Sequence, residues 1–409
     1  MSVQERSWAF SALEGRRLHL GVCGSVAAYR LLDVLRWWQK TGVRVSATLT
    51  PAAQKFVTPL SFEALGASPV YTEMFGSEAV FGHLEPGQVA QAMCIAPASA
   101  STLARLAHGQ ADSLLACQAL AFDGAVVLAP AMNPRMWAHA ATQANVRMLE
   151  QRGVAMVLPA CGSTACGDEG QGKLADPREI YWAALRALAP QDMAGQHIML
   201  TLGPTQECWD AVRHWTNPST GTMGACLAMA AWLRGARVDA VCGPHCPWLP
   251  AGITRHEVGS AAEMYTTARA LWPAASVGIF TAAVADFAPV PYGNTKFKKA
   301  DAQAKGGLSI DFAPTVDILK SLAADRRPDQ KVVGFAAETV EDLVQAARIK
   351  LDAKKAHMIV ANPVNQVGSG FGAITNSVTV LDFQGRQECW PKLSKPDVAW
   401  KVCTWVLTL

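Results

Sequence analysis

Two series of short apolar runs, separated by segments of helical period, limit the folds open to this chain more than any other feature. In the first half the runs are residues 18–24, 43–49, 92–98, 124–131 and 154–160. Runs of this length that are apolar throughout, rather than at every second residue, are typical of parallel strands buried on both faces. Helices between such strands predict a doubly wound α/β sheet.

The same pattern restarts in the second half. Its runs are residues 197–203, 236–243, 276–283, 331–337 and 356–362. An alternating tail at 377–390 indicates a late hairpin. Because 409 residues exceed what one hydrophobic core usually serves, we predict two mostly parallel, Rossmann- or flavodoxin-like domains, 1–190 and 191–409.

The composition excludes several classes of protein. Half of the residues are apolar and 17% are charged, so bulk disorder is excluded. The net charge is +3 and there is no basic block, so we expect no nucleic-acid partner. No apolar leader is visible at the start, and Asp123 and Gly124 interrupt the most apolar stretch. We therefore expect a cytoplasmic protein with no membrane partner.

The chain has eleven cysteines, an odd number, and most lie in apolar runs, so we expect reduced, buried thiols. Two closely spaced pairs need separate interpretation. Cys161 and Cys166 lie in a glycine-rich loop. Three interpretations are open for them: metal ligands, a redox pair, or one catalytic acid beside a cysteine without a role. Cys242 and Cys246 flank a Gly-Pro-His turn, and the apolar strand before them favours a structural turn over a cluster of ligands.

Small and polar residues follow three of the predicted strands in the first half. They are Gly24, Ser25, Thr50, Ser99, Ser101 and Thr102. Each hydroxyl alone is more typical of an N-cap for the next helix. Because the carboxyl ends of parallel strands share one edge of the sheet, the whole group favours a phosphate-bearing ligand. The fourth strand is followed by Asn133, whose amide can bind a carboxylate or carbonyl, or close an Asx-turn.

Four segments of the first half resemble, in this order, the flavoprotein decarboxylase domain that acts on 4′-phosphopantothenoylcysteine. They are GVCGSVAAYR, APASAST, PAMNPRMW and ACGDEGQGKL, within residues 15–190. The segment FGHLEPGQVAQAMCIAPAS is similar to that family's catalytic-histidine segment and implies His83 as this residue. The resemblance also implies that Asn133 holds the substrate carboxylate and that FMN contacts Met132 and the strand-end group above. Ser101 stands where relatives often have Asn or Asp.

The resemblance implies a redox-assisted decarboxylation. In that family FMN oxidises the cysteine CH₂–SH to a thioaldehyde, which makes loss of CO₂ possible. His83 would assist the oxidation by handling a proton. Cys166 would protonate the resulting enethiol and Cys161 would be a bystander, while FMN would lie at a subunit interface in an assembly built on trimers.

Fixed donors and scattered lysines mark the second half. Arg213 and Asn217 lie in the glycine-rich segment TLGPTQECWDAVRHWTNPSTGTMG, which is either a βα loop without a ligand or a binding loop. Lysines follow or flank several strand ends, as a solvated face or as ligands of a triphosphate. They are Lys296, Lys298, Lys299, Lys350 and Lys354.

Residues 191–405 resemble the bacterial, CTP-using type of phosphopantothenate–cysteine ligase. The resemblance implies that Asn217 holds an acyl-cytidylate, that Arg213 binds substrate, and that Lys296 serves the attack by cysteine. It also implies a set of contacts to CTP or to Mg²⁺, with Asp286 as the metal ligand. This set is Thr281, Ala282, Asp286, Val316, Asp317, Ile318, Phe335, Lys350 and Lys354. Thr222 stands where relatives usually have Lys.

Together the two halves predict a bifunctional enzyme of coenzyme A biosynthesis. Its substrates would be 4′-phosphopantothenate, cysteine and CTP. Two alternatives are a flavin-binding regulatory subunit and an FMN decarboxylase of peptide C-terminal cysteines. Neither gives a reason for the second half of the chain.

Overall fold

The computed structural model describes residues 8–75, 80–163, 167–298, 307–339, 342–363, 365, 370 and 372–409. The chain divides into two compact units, Met1–Pro190 and Gln191–Leu409.

The first unit contains a parallel sheet in the order β3-β2-β1-β4-β5-β6. Its strands are β1 Arg17–Val22, β2 Arg44–Leu49, β3 Val70–Tyr71, β4 Ala92–Ala98, β5 Ala125–Pro130 and β6 Ala155–Met156. A separate antiparallel pair is formed by β7 Ala160–Ser163 and β8 Glu169–Lys173. Since the strand order runs in opposite directions from β1, right-handed crossovers place helices on both faces.

The helices of the first unit pack on the sheet through apolar stripes. They are α1 Leu31–Lys40, α2 Pro59–Ala64, α3 Glu85–Val89, α4 Ala100–His108, α5 Leu114–Leu120, α6 Pro134–Ala138, α7 Ala140–Gln151 and α8 Pro177–Leu188. On α1 the buried residues Leu31, Val34, Leu35 and Trp38 follow the helical period. The indole of Trp38 donates to the carbonyl of Tyr181, 3.2 Å away, which attaches α1 to α8.

The second unit repeats the arrangement and extends it. Its sheet has the order β13-β12-β9-β14-β17-β18-β19-β20, antiparallel only at β18–β19 and β19–β20. The strands are β9 His197–Leu202, β12 Arg237–Cys242, β13 Thr254–Glu257, β14 Val277–Phe280, β17 Lys331–Glu338, β18 Met358–Pro363, β19 Thr375–Asp382 and β20 Gln387–Ser394. Two small antiparallel pairs are β10 Gln206–Cys208 with β11 His214–Thr216, and β15 Phe287–Pro289 with β16 Phe312–Pro314.

Helix α9, Thr222–Leu233, is buried along almost its whole length. Ten of its twelve residues are buried, which the sequence TMGACLAMAAWL permits because it has no polar face. The other helices are α10 Ala261–Leu271, α11 Ile318–Ala324, α12 Leu343–Ala353 and α13 Lys395–Val406. Helix α13 packs on α9.

The predicted α/β class with two doubly wound, mostly parallel sheets is confirmed, and so is the late hairpin, β19–β20. The strand expected at 154–160 is shorter than predicted. Only Ala155–Met156 pairs in the sheet, and Ala160 already belongs to β7. Pro159 separates the two segments, since it has no backbone N–H to donate to a ladder. In the part of the chain that the structure describes, no helix has the length and apolarity needed to cross a bilayer.

Candidate functional site

The strand order of the first unit creates a crevice between β1 and β4, where the chain turns in opposite directions. Ligands of open α/β sheets bind at such a switch point. The Cys23 backbone N–H donates to the Pro97 carbonyl at 3.2 Å, and the Cys23 Sγ and Thr102 Oγ1 atoms are 3.1 Å apart. These contacts bring the Gly24–Ser25 turn beside the start of α4.

Three of the strand-end hydroxyls accept from backbone N–H groups at the starts of the following helices. Ser25 Oγ accepts from the Ala27 N–H at 3.3 Å, and Thr50 Oγ1 accepts from the Ala53 N–H at 3.2 Å. Ser99 Oγ accepts from the Thr102 N–H at 3.2 Å. Ser25 and Ser99 are therefore N-caps, whereas the N-cap position of the short helix after β2 is Ala52 and Thr50 lies two residues before it. Ser101, in contrast, is exposed and hydrogen-bonds to Arg105.

Gly24 sits where two strand-end loops touch. A Cβ atom added there would lie 2.5 Å from the Cβ of Ala52, in the loop after β2. Only glycine fits this approach, so the Gly24–Ser25 turn packs directly on the loop after β2. The turn leads into a helix start, and backbone N–H groups at helix starts are suitable partners for a phosphate.

Asn133 has both ends of its amide engaged. Its Oδ1 accepts from the Arg135 N–H at 2.8 Å, which is the predicted Asx-type cap, and its Nδ2 donates to an Asp168 carboxylate oxygen at 2.5 Å. Arg135 also forms an ion pair with Asp168, at 3.0 Å. A carboxylate thus already occupies the position in which this amide would hold a substrate carboxylate.

The β7–β8 hairpin lies directly over the Asn133 turn. The Met132 N–H donates to the Gly172 carbonyl at 2.9 Å, and a Cβ atom on Gly172 would lie 2.5 Å from the Met132 carbonyl oxygen. Cys161 is an exposed free thiol on β7. Cys166, the predicted proton donor, lies outside the described residues.

His83 is half-buried and lies just before α3. A series of buried side-chain hydrogen bonds ends at the backbone carbonyl of its neighbour, Gly82. The Gly82 carbonyl accepts from Gln118 Nε2 at 2.8 Å, and Gln118 Oε1 accepts from Thr48 Oγ1 at 2.7 Å. Thr48 Oγ1 in turn lies 3.0 Å from His19 Nε2. Full burial lowers the pKa of His19 to about 4, although the hydrogen-bond link to Gln118 raises it, so this imidazole is neutral at pH 7. No motif in the sequence indicated this series of hydrogen bonds.

In the second unit the corresponding crevice, between β9 and β14, is a pocket of about 350 Å³. It brings together most of the predicted ligase residues. Those that line it are Asn217, Thr281, Ala282, Asp286, Val316, Asp317, Ile318, Phe335, Lys350 and Lys354.

One side of the pocket, its glycine wall, is built on two glycine turns, of which Gly221 lines the pocket and Gly203 packs behind Gly221. Gly203 follows β9 with φ +83°, and Gly221 begins α9 with φ +69°, both in the left-handed region that favours glycine. Asn217, between them in sequence, donates through Nδ2 to the carbonyls of Ala283 and Val284, each at 3.2 Å. The amide is therefore fixed against the chain that follows β14.

Two lysines that line the pocket are paired with carboxylates. Lys350 Nζ lies 2.6 Å from a Glu338 oxygen, and Lys354 Nζ lies 3.4 Å from an Asp317 oxygen. Both lysines keep about a third or more of their side chains exposed, at 41% and 31%, so phosphate oxygens can reach them. Glu338 was not predicted as part of the site.

Asp286 is exposed at the pocket edge, and its carboxylate has no hydrogen-bond or ion-pair partner among the described residues. Mg²⁺ is commonly held by one or two carboxylates together with substrate phosphates and water. No group of three or more His, Cys, Asp or Glu side chains suited to a metal is found in the described ranges. The donor set therefore fits a metal carried by a phosphate ligand.

Arg213 and Lys296 do not line this pocket. Arg213 forms an ion pair with the buried Asp210, at 2.5 Å. Asp210 also accepts from the N–H of Phe297 at 3.0 Å, next to the exposed Lys296. Burial would raise the pKa of Asp210, but backbone hydrogen bonds from Phe297, Val212 and Arg213 outweigh it and lower the pKa to about 2. Asp210 thus anchors the chain that carries Lys296.

Two buried polar residues of the pocket were also missed. Lys395, at the start of α13, is 4% exposed, and its Nζ donates to the Gly370 carbonyl at 3.4 Å. Burial lowers the pKa of this lysine. Asn376 on β19 is 3% exposed. In sequence both looked like ordinary parts of the terminal hairpin and helix, because their proximity to the pocket depends on how β19 and β20 extend the sheet.

Comparisons with known proteins cover both units. A family model described as "Flavoprotein" matches residues 9–187, and one described as "DNA/pantothenate metabolism flavoprotein C-terminal domain" matches residues 193–409. The "Coenzyme A biosynthesis bifunctional protein CoaBC" of Bacillus subtilis is 39% identical over 396 residues, covering 95% of this chain and 96% of that protein. The protein of the same name from Vibrio vulnificus is 36% identical over 399 residues, covering 97% and 98%. A solved C-terminal domain of a CoaBC protein is 34% identical, with a TM-score of 0.44, covering 53% of this chain and 97% of that one.

Proposed function

The chain belongs to the family of coenzyme A biosynthesis bifunctional proteins, and from this premise we propose that it catalyses two consecutive steps. Residues 191–409 join cysteine to 4′-phosphopantothenate at the expense of CTP, and residues 1–190 decarboxylate the product to 4′-phosphopantetheine. The observation that carries this proposal is the continuous match through both units, over 95% of the chain and 96% of the Bacillus subtilis relative.

For the decarboxylase we propose an FMN site at the β1–β4 crevice, with the FMN phosphate at the helix start after Gly24. FMN supplies, when bound, a two-electron acceptor and donor. Asn133 Nδ2 holds the substrate carboxylate in the position that Asp168 occupies here. His83 moves a proton at the substrate thiol, and Cys166 donates one to carbon after CO₂ is lost.

For the ligase we propose that CTP binds in the pocket of the second unit, where Asp286 would help to hold a Mg²⁺ ion that would offset the phosphate charge. Lys350 and Lys354 exchange their carboxylate partners for phosphate oxygens. The pantothenate carboxylate attacks the α-phosphorus, pyrophosphate leaves, and the amine of cysteine then displaces CMP from the acyl-cytidylate. Asn217 holds this acyl phosphate without adding charge, and Lys296 acts in the second half-reaction.

We further propose a cytoplasmic homo-oligomer built on trimers, with FMN at the subunit interface. Exposed apolar side chains close to His83 in sequence support an interface on the first unit, because exposed apolar patches often mark sites of protein–protein contact. Phe75, Val80 and Phe81 are 93%, 72% and 66% exposed. Analytical ultracentrifugation should give a mass that is a multiple of three chains.

Two assays test the catalytic proposal. The purified protein should be yellow and release FMN, not FAD, on denaturation. Given 4′-phosphopantothenate, cysteine, CTP and Mg²⁺, it should form 4′-phosphopantetheine, CMP, pyrophosphate and CO₂ in equal amounts, with ATP a poor replacement. A folded, colourless protein that ignores added FMN would refute the decarboxylase, and CTP consumption independent of cysteine and 4′-phosphopantothenate would refute the ligase.

A further inference from the structure

Two thiols of the second unit lie together beside the proposed nucleotide pocket. Cys242 is the last residue of β12, and the turn Gly243-Pro244-His245 brings Cys246 back against it. Cys242 pairs with Leu202 of β9 in the sheet, and Cys246 Sγ lies 3.5 Å from the Leu202 carbonyl oxygen, so both cysteines lie at this strand end. We propose that Cys242 and Cys246 form a reversible intrachain disulfide, and that this oxidation loosens the glycine wall of the pocket.

Cys246 is the sulfur that contacts this wall. Its Sγ lies 3.5 Å from the Leu202 carbonyl oxygen at the end of β9. A Cβ atom on Gly203 would lie 2.5 Å from this sulfur, and one on Gly221 would lie 3.2 Å from it. The sulfur therefore fills the space beneath the two glycines, one of which starts α9 and lines the pocket. Any displacement of the sulfur removes support from this turn.

Both cysteines line an open cavity of about 490 Å³ together with His245, Arg255 and Glu257, but their exposure differs. Cys246 is half-buried, and Cys242 is 1% exposed. A small oxidant therefore meets Cys246 first, and Cys242 is within reach as the second thiol.

The charges around the pair favour the thiolate at Cys242. The interaction with Cys246 lowers the pKa of the Cys242 thiol, as does the charge of Arg255, against burial and Glu257, which raise it. The pKa of Cys246 is raised, first by its interaction with Cys242 and then by burial. The better thiolate of the two is thus Cys242, which favours its attack on Cys246 Sγ in the second step below, whereas exposure makes Cys246 the thiol that a small disulfide meets first.

The reaction with a small disulfide balances without another reactant. The Cys246 sulfur attacks one sulfur of oxidised glutathione, forms a mixed disulfide and releases one glutathione, which takes up the Cys246 proton. The Cys242 sulfur then attacks Cys246 Sγ, forms the intrachain S–S bond and releases the second glutathione with the Cys242 proton. Two protein thiols are oxidised, one small disulfide is reduced to two thiols, and reduced glutathione reverses both steps.

Oxidation changes the wall because a covalent S–S bond, of about 2.05 Å, is much shorter than any contact between two unbonded sulfur atoms. Cys246 Sγ must move toward Cys242, which opens a gap beneath Gly203 and Gly221. When the neighbouring residues cannot move into such a gap, the van der Waals contacts that the sulfur made are lost. The predicted effect on CTP rests on the proposed function, whereas the disulfide itself does not.

Peptide mapping tests the disulfide. After equilibration of the full chain with oxidised glutathione, tryptic peptide 238–255, which contains both cysteines and no others, should be lighter by about 2 Da and resist iodoacetamide until reduced. A Cys208→Ser/Cys389→Ser variant, which lacks two exposed thiols, should behave like the unaltered chain. Recovery of the peptide with two alkylated thiols, under conditions that modify Cys208 and Cys389, overturns the proposal.

Two readouts test the effect on the pocket. Oxidation should weaken binding of Mg²⁺–CTP about fivefold, reversibly with dithiothreitol, and Cys246→Ser should be insensitive to oxidant. Amide hydrogen exchange of residues 203–224 should become faster on oxidation, even without any ligand. The exchange measurement therefore tests the coupling even if the reduced protein does not bind CTP. Failure of the reduced protein to bind CTP would refute the ligase proposal alone. A mapped disulfide that alters neither exchange nor CTP binding overturns the coupling to the wall.

Discussion

The two units have their crevices at the same point of the same strand order, but the residues that surround the two crevices differ. In the second unit, lysines, carboxylates and glycine turns enclose a pocket of about 350 Å³ within one unit. In the first unit the strand-end hydroxyls cap helices, and large apolar side chains such as Phe75 and Phe81 remain exposed close to His83 in sequence. Strand order fixes where a ligand binds, but the loops after the strands decide whether one chain suffices to enclose it.

The largest expected effect is on the first unit. Cys166→Ser should still oxidise and decarboxylate its substrate, but should stall before the final protonation, because a serine hydroxyl is a much weaker acid than a thiol. We expect the overall rate to fall by about 10²–10⁴-fold. Mass spectrometry should detect an accumulating oxidised enethiol product.

Cys161→Ser is the matched control, since Cys161 lies on β7, five residues away in sequence, and is exposed. It should turn over at nearly the normal rate. If both variants lose activity equally, or if a metal is found bound between the two cysteines, the assignment of Cys166 as the acid is wrong.

The second expected effect is on the ligase. Lys296→Gln should spare activation by CTP more than amide formation, because Mg²⁺, Lys350 and Lys354 still neutralise the phosphates. Loss of a contact made in the transition state costs about 10²–10³ in rate. Acyl-cytidylate should accumulate and be detectable by mass. Lys298→Gln, two residues away and also exposed, should ligate nearly normally, and normal ligation by Lys296→Gln would contradict the role of this lysine.

The parallel-strand pattern predicted the location of the second pocket well. Residues as far apart as Asn217 and Lys354 line it, because strand-end loops of one sheet meet at one edge. Lys395 was missed because no periodicity shows that α13 begins at this pocket. Gln118 was missed for a related reason: it lies in an apolar helical run, and its partners Gly82 and Thr48 are 36 and 70 residues away. Hydrogen bonds over such separations leave no local signal.

A third prediction uses the pH dependence of stability, to which His19 contributes in the first unit and His357, whose pKa burial also lowers, contributes in the second. The pKa of His19 is about 4 in the folded chain and about 6.5 when unfolded. Between these values the unfolded chain binds more protons, so the first unit loses stability as pH falls from 6.5 toward 4. We expect a loss of about 2 kcal/mol at pH 5.

The second unit has a contrasting buried group in Asp239. Burial raises its pKa, but hydrogen bonds from His256 and His197 outweigh this and lower it, so its contribution is lost only below the pKa of an unfolded aspartate, about 3.9. Calorimetry of the full chain between pH 7 and 5 should show the transition of the first unit moving down. His19→Gln should abolish that pH dependence. Equal sensitivity in His19→Gln would show that another group is responsible.

The smallest expected effect concerns how the first unit holds His83. Gln118→Leu keeps the volume of the side chain but removes the donor to the Gly82 carbonyl and the acceptor from Thr48. The segment before α3 should then shift, and misplacement of a proton-transferring group lowers the rate even when every reacting side chain is present. We expect kcat for decarboxylation to fall about tenfold, with KM and FMN content nearly unchanged.

The ligase activity of the same chain is the internal control for this variant, because Gln118 belongs to the first unit alone. A general loss of folding would lower FMN content together with kcat, and would show as a lower melting temperature of the first unit alone. Gln118→Glu keeps the acceptor for Thr48 but loses the amide donor to Gly82, so it should resemble Gln118→Leu in kcat. If Gln118→Glu decarboxylates normally while Gln118→Leu does not, the chain of hydrogen bonds stabilises the core and does not position His83.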